Sequence, residues 1–232
     1  MKLPVIKSAK LRRFLGIFLP FVLMPVCVIL FAGSSRFYAL NILLITIMSL
    51  LVFLCGFERR KTGTRRMILV AVMTALSVIG RFIFVALPAF KPITAITVIT
   101  AVYLGGEAGF LTGALSAAIS NFYFGHGPWT PFQMLAWGLI GLLAGLLSKP
   151  LRKSRIALSL YGIFSGVAYS FVMEIWNVLW YNGSFNPALY QAALAAALPF
   201  TIAYAVSNVI FLNIVARPFG EKLDRVRIKY GC

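Results

Sequence analysis

The sequence predicts an all-α integral membrane protein of about eight spans, a six-helix bundle preceded by two extra transmembrane helices. Three observations predict it. Of the 232 residues, 61% are hydrophobic and 12% charged, and the mean hydropathy is +0.92. A soluble domain is about half apolar and about a quarter charged, so lipid has to be part of this chain's solvent. The apolar residues also fall into long runs, as a bilayer core about 30 Å thick requires. Finally, 19 of the 22 Lys and Arg collect in the segments that alternate runs place on one side.

Eight runs follow in order: 14–32, 37–57, 67–87, 91–105, 107–124, 132–148, 157–181 and 194–216. Lys2, Lys7, Lys10, Arg12 and Arg13 precede the first, which ends near Ala32-Gly33-Ser34. That resembles a secretory signal, but the run is long and a second span follows at once, which favours a retained helix. Spans one and two (1–57) are plain Leu, Ile, Phe and Val and read as lipid-facing. The basic linker 58–66 then opens a six-span block, 67–216, and a basic tail, 217–232, closes the chain. The fourth run is short and rich in Thr94, Thr97 and Thr100, as expected of a short helix shielded by its neighbours. With the N-terminus inside, the segments 1–13, 58–66, 149–156 and 217–232 are cytoplasmic and carry five, five, four and five basic residues. Arg36, Arg81 and Lys91 are left in the membrane or outside. The excess of Lys and Arg in cytoplasmic loops sets orientation, so both termini are expected inside the cytoplasmic membrane.

The net charge of +17 would suggest nucleic acid in a soluble protein. Here the basic clusters lie between apolar spans and are read as orientation signals, so no nucleic-acid partner is expected. Cys27, Cys55 and Cys232 have no metal or disulfide spacing. Phosphate-binding loops, zinc motifs and clustered carboxylates are missing, and five acidic residues leave little for metal-assisted chemistry. The expectation is a binding protein rather than an enzyme, with no cofactor and no metal.

Small-residue seams recur in the block: Ala71-x-x-x-Ala75, Gly109…Gly113…Ala117 and Gly141…Gly145. Such spacing lets helices approach closely in lipid, but it does not say whether the partner helix is internal or on another subunit. Polar residues gather in the outer half. Arg81 and Glu174 each lie seven residues before the end of their span, at similar depth, and buried charges in a membrane are paired or functional. A salt bridge between them and a direct role in binding ligand are compatible readings. Glu174, Asn177 and Tyr181 share one helix face, flanked by Trp176 and Trp180. Trp180 and Tyr181 read equally well as interfacial anchors. The segment 121–133 contains Asn121, Tyr123, His126, Trp129 and Gln133 among two Gly and two Pro, an irregular turn. It reads as a lid over the bundle mouth or as a simple connection. Lys91 stands in the other outer loop, 87–92, and Trp137 follows Gln133 by one turn.

The six-span block resembles the substrate-binding S component of energy-coupling-factor (ECF) vitamin transporters. The resemblance rests on Ala71-x-x-x-Ala75, on Ala75 to Arg81, on Leu104-Gly105-Gly106-Glu107-Ala108-Gly109-Phe110, on Gly125 to Met134 and on Gly138-Leu139-Ile140-Gly141. It implies a vitamin bound in the outer half by residues drawn from Arg81, Lys91, Asn121, Tyr123, His126, Trp129, Gln133, Trp137, Glu174, Asn177, Trp180 and Tyr181. It implies docking of the Ala71/Ala75 face onto a transmembrane T subunit driven by two ATPase subunits. The Gly-Pro-Trp-Thr-Pro segment looks most like members assigned to cobalamin, which implies a corrinoid ligand. The two N-terminal spans depart from the six-helix pattern. A self-sufficient secondary transporter or channel, and then an intramembrane enzyme, are the alternatives. No inverted repeat or matched pair of broken helices supports the first.

Overall fold

The computed structural model describes residues 14–15, 18–30, 40, 43–44, 47–48, 51 and 63–230. The basic residues ahead of Phe14, most of the second expected span, the linker up to residue 62, Cys55 and Cys232 lie outside the described residues. The described chain is helical, without strands, an all-α membrane protein. A π-helical stretch, Leu19–Leu23, runs into α1 (Met24–Leu30). Then come α2 (Gly63–Ile83), α3 (Ile93–Leu104), α4 (Gly106–Phe124), α5 (Thr130–Leu146), the short α6 (Ser148–Lys153), α7 (Arg155–Asn182) and α8 (Pro187–Tyr230). Segments within α2, α7 and α8 are long and apolar enough to cross a membrane.

The core is apolar, but it shares its interior with hydroxyls, and the outer surface is apolar as well. Ser77, Thr97, Thr112, Ser116 and Ser165 are fully buried, while Ile68, Ile83, Ile156, Leu160 and Ile214 are more than half exposed. Small hydroxyl residues therefore sit between helices, where their size allows close approach, and branched aliphatics face the lipid. Of these hydroxyls Ser165 donates to Tyr161 O at 2.7 Å, while the other four have no hydrogen-bond partner among the described residues.

The short α3 is the central post. It packs against α2, α4, α5 and α8, and every residue except Tyr103 is buried. At 12 residues it spans only about 18 Å, too little for a bilayer. It needs no lipid-facing surface because its neighbours supply one. Gly105, at φ +103° and ψ 159°, ends α3 and lets α4 start at the next residue, a conformation only glycine adopts cheaply. The carbonyl left free at the end of α3 accepts from Arg66, with Leu104 O at 3.1 Å from Nε and 2.7 Å from the terminal nitrogen. Glu107 lies 3.6 Å from the same guanidinium. A cation there satisfies an orphan acceptor and opposes the helix dipole. Arg66, expected in a basic linker, is thus buried within the bundle.

The glycine seams of α4 and α5 face each other. A Cβ on Gly141 would lie 2.5 Å from the Gly109 backbone, and one on Gly145 would lie 2.2 Å from Gly106 Cα. Helix backbones touch along this line, so both seams are internal packing.

Two boundaries differ from expectation. The third run stops being helical at Ile83, and 84–90 forms successive turns whose Phe84 and Phe90 pack on Phe211 of α8. The last span does not end before Arg217-Pro218, because α8 runs through Pro199 and Pro218 to Tyr230. Each proline removes one backbone donor. Beyond Pro218 the helix is held by burial of Leu223, by Gly220 packed on Tyr103 and by an Arg152–Asp224 ion pair. Of the N-terminal segment, α1 packs on α5, and Met48 belongs to the buried core.

Candidate functional site

At the end of the bundle opposite the basic clusters, a cavity of about 210 Å3 lies between α2, α3, α5, α7 and α8. Arg81 reaches it from the last turn of α2 and is 6% exposed. Its terminal nitrogen donates to Ser120 Oγ and, at 3.2 Å, to Asn121 Oδ1. The guanidinium carbon stands 4.7 Å above the Phe124 ring and 5.1 Å from Trp137. Its buried Nε has no hydrogen-bond partner among the described residues. A buried unpaired donor beside a cavity is a place where a ligand acceptor or a water lowers the free energy.

Asn121 organises the floor. It is 1% exposed, and its amide donates to Thr130 Oγ1 at 2.9 Å and to Gln133 Oε1 at 2.8 Å while its oxygen accepts from Arg81. Gln133 Nε2 in turn donates to Tyr169 Oη at 3.2 Å. The chain Arg81–Asn121–Gln133–Tyr169 thus ties α2, α4, α5 and α7 together through side chains whose polar capacity is mostly used. One wall is aromatic. Trp137 and Tyr169 stack at 4.6 Å with an interplanar angle of 23°, and Tyr204 meets Tyr169 edge-on at 5.0 Å. Trp137 Nε1 is held by Thr94 Oγ1 at 3.2 Å.

Lys91 and Ala89 bring the 84–92 segment to the same cavity. The Lys91 backbone is fastened to α8 by its N–H to Ser207 Oγ, 3.0 Å. Its ammonium lies 5.0 Å from the Phe124 ring centroid. Burial, and then the nearby Arg81, push that ammonium below the ordinary lysine range. Two cations, the two amides of Gln133 and Asn208, and no carboxylate line the space, which therefore suits a ligand rich in acceptors.

Of the residues singled out from sequence, Arg81, Lys91, Gln133 and Trp137 line the cavity, and Asn121 supports it from behind. The others stand elsewhere. Tyr123 is 70% exposed and packs on Phe82. His126 stands edge-on to Phe122, its nitrogens without hydrogen-bond partners among the described residues, and burial lowers its pKa. Trp129 meets Trp176 edge-on at 5.9 Å, closing the turn against α7. Glu174 accepts from Asn177 at 2.8 Å, so the anticipated Arg81–Glu174 bridge is not formed; Arg81 bonds to α4 instead. Trp180 lies outside the cavity lining, and Tyr181 is 81% exposed at the end of α7. Sequence reasoning missed Tyr169, Tyr204 and Asn208. The signal available was a polar pair, Ser207-Asn208, within an apolar span, and a tyrosine eight residues before Asn177.

A different surface surrounds Ala71 and Ala75. Both are exposed, and with Val78, Leu111, Leu115 and Ile119 they line a shallow apolar groove of about 610 Å3 between α2 and α4. Unlike the glycine seams, this small-residue seam has no partner within the described residues.

Comparison with known proteins agrees in kind with the resemblance. A UPF0397 protein of Clostridium perfringens is 23% identical over 190 residues, covering 75% of this chain and 96% of the relative. A UPF0397 protein of Aliivibrio salmonicida is 24% identical over 160 residues, covering 66% of this chain and 86% of its own length. No solved structure matches the chain. The family described as ECF-type riboflavin transporter, S component, matches residues 61–225, all six helices of the bundle and the short α6 between them, and the chain belongs to that family.

Proposed function

We propose that this chain captures a planar, acceptor-rich micronutrient of about riboflavin's size in the Arg81–Tyr169 cavity and delivers it through an ECF-type importer. The stacked Trp137–Tyr169 pair beside the unpaired Arg81 Nε carries this reading. An aromatic wall offers area to a fused ring, and fixed donors at its edge orient ring carbonyls. The corrinoid expected from the Gly-Pro-Trp-Thr-Pro segment is the weaker choice. The cavity, about 210 Å3, lies below the roughly 300–1,000 Å3 common for ligand pockets. A tricyclic ring is within reach of a modest opening of 84–92, whereas a corrinoid is several times larger. That the matching family is named for riboflavin points the same way.

In this reading Ala71 and Ala75 dock onto a transmembrane T subunit, two ATPase subunits supply the energy, and both termini lie in the cytoplasm. The open small-residue groove supports the first and the basic clusters the last. Titrating purified protein with riboflavin and following flavin fluorescence tests the ligand. Quenching that saturates, and weakens at least 10-fold in Trp137→Ala, is expected. Saturable binding of cobalamin but not riboflavin would return the corrinoid, and quenching unaffected by Trp137→Ala would move the site. Labelling in a cysteine-free background tests orientation: Lys222→Cys should react from the cytoplasm and Ser184→Cys from outside.

A further inference from the structure

A second cavity, of about 350 Å3, lies at the other end of α3, α7 and α8. Those helices give Thr94, Tyr169 and Tyr204 to the first cavity, and Val102, Leu158 and Leu212 to this one. Its wall is mainly aliphatic, continued by Val98, Ile99, Leu151 and Ala216 and interrupted by Tyr103 and Asn213, whose amide is held by Ser159 Oγ at 2.8 Å. Its rim is ionic, with Arg152, Lys153, Arg155 and Arg217 against Glu221 and Asp224. Two of these cations are committed within the protein. Arg152 pairs with Asp224 and lies 4.4 Å over the Tyr103 ring, and Arg217 pairs with Glu221 at 3.0 Å. Among the described residues Lys153 and Arg155 have no ion-pair partner. Four cations against two carboxylates leave the rim with two positive charges.

The orientation bias explains why residues here are basic. It does not explain why they ring a hollow whose wall is mainly aliphatic. A soluble anion would satisfy the rim and leave that wall against water. A diester phosphate carrying acyl chains satisfies both, and basic pockets between transmembrane helices on the cytoplasmic side take such headgroups. We propose that this cavity binds an anionic phospholipid, with its phosphate against Lys153 and Arg155 and the start of an acyl chain along Val102, Leu158 and Leu212. The site is separate from the nutrient cavity and stands whether or not that cavity takes a flavin.

Native mass spectrometry of the full chain in detergent tests it, with dioleoyl phosphatidylglycerol and dioleoyl phosphatidylcholine added in equal amounts. Phosphatidylglycerol should be retained about 10-fold or more over phosphatidylcholine. Lys153→Gln with Arg155→Gln should bring the two close to parity. Lys222→Gln with Arg225→Gln, which removes equal charge from exposed α8 positions off the cavity, should leave the preference intact. Millimolar inorganic phosphate should not displace the lipid. Equal retention of both lipids by the unmodified chain overturns the proposal without recourse to any variant. Equal loss in the two double variants assigns the preference to overall charge, and displacement by phosphate makes the rim a free-anion site; either result also overturns it. The readout uses headgroup choice alone, so a failure of riboflavin binding leaves it unaffected.

Discussion

Replacing Asn121 separates the structural and the recognition parts of the cavity floor. Asn121→Ala removes two neutral hydrogen bonds, to Thr130 and Gln133, and one with the Arg81 cation. A neutral bond contributes about 1 kcal/mol net and a charge-assisted one about 2 kcal/mol, so the variant should lose about 4 kcal/mol. Asn121→Asp keeps the volume and replaces the donor amide with acceptors. Gln133 can answer by turning its amide, with the Tyr169 hydroxyl then donating to it, and the Thr130 hydroxyl can rotate to donate. Arg81 would gain a carboxylate partner. This second variant should therefore stay within about 1.5 kcal/mol of the parent, while its Arg81 is drawn to the new carboxylate and away from the cavity. Losing one oriented cationic donor costs about 10-fold in affinity. Equilibrium unfolding in mixed micelles titrated with SDS reads the first quantity, and riboflavin titration reads the second. An Asn121→Ala protein within about 1 kcal/mol of the parent would show that the four-residue chain does not tie the helices together. Unchanged riboflavin affinity in a folded Asn121→Asp protein would remove Arg81 from recognition.

Further outcomes follow from the same geometry. Ala71→Leu with Ala75→Leu fills the open groove between α2 and α4, so it should block co-purification with a T subunit and leave ligand affinity within about 2-fold, since neither side chain lines the ligand cavity; joint loss of both would make the groove internal packing. Glu174→Gln keeps an acceptor for Asn177 and breaks no bridge to Arg81, so stability should change by less than about 1 kcal/mol; a larger loss in the unfolding titration would reveal a charge partner for Glu174. Lys91 is a base with a lowered pKa, so it loses its charge at a lower pH than an ordinary lysine. Ligand affinity should therefore fall as pH rises through that lowered value, and Lys91→Gln should abolish this alkaline limb; a limb persisting in the variant would assign the titration to another group.

How far the sequence reached is clearest from particular elements. Run length and the alternating basic segments were enough to place all six bundle helices, because crossing lipid requires long apolar stretches and carries its own charge signature. Even the weak fourth run was legible as a shielded helix, through its shortness and its threonines. Spacing also identified the three small-residue seams. What spacing could not supply was rotation. A helical repeat tells which residues share a face, and the neighbours decide where that face points. Only packing showed that Gly109 and Gly141 meet each other while Ala71 and Ala75 stay exposed along an open groove. Only packing gave Arg81 to Ser120 and Asn121 rather than to Glu174. Tyr169 and Tyr204 entered the cavity for the same reason: α7 and α8 present them toward Trp137, and nothing in their local sequence marks that direction. The passage of α8 through Pro218 likewise depended on distant groups, Tyr103 and Arg152, which hold it from another part of the chain. The sequence by itself determined which segments are helices, because crossing lipid demands long apolar runs. The tertiary structure decided which faces meet, because that is set by contacts between residues far apart in the chain.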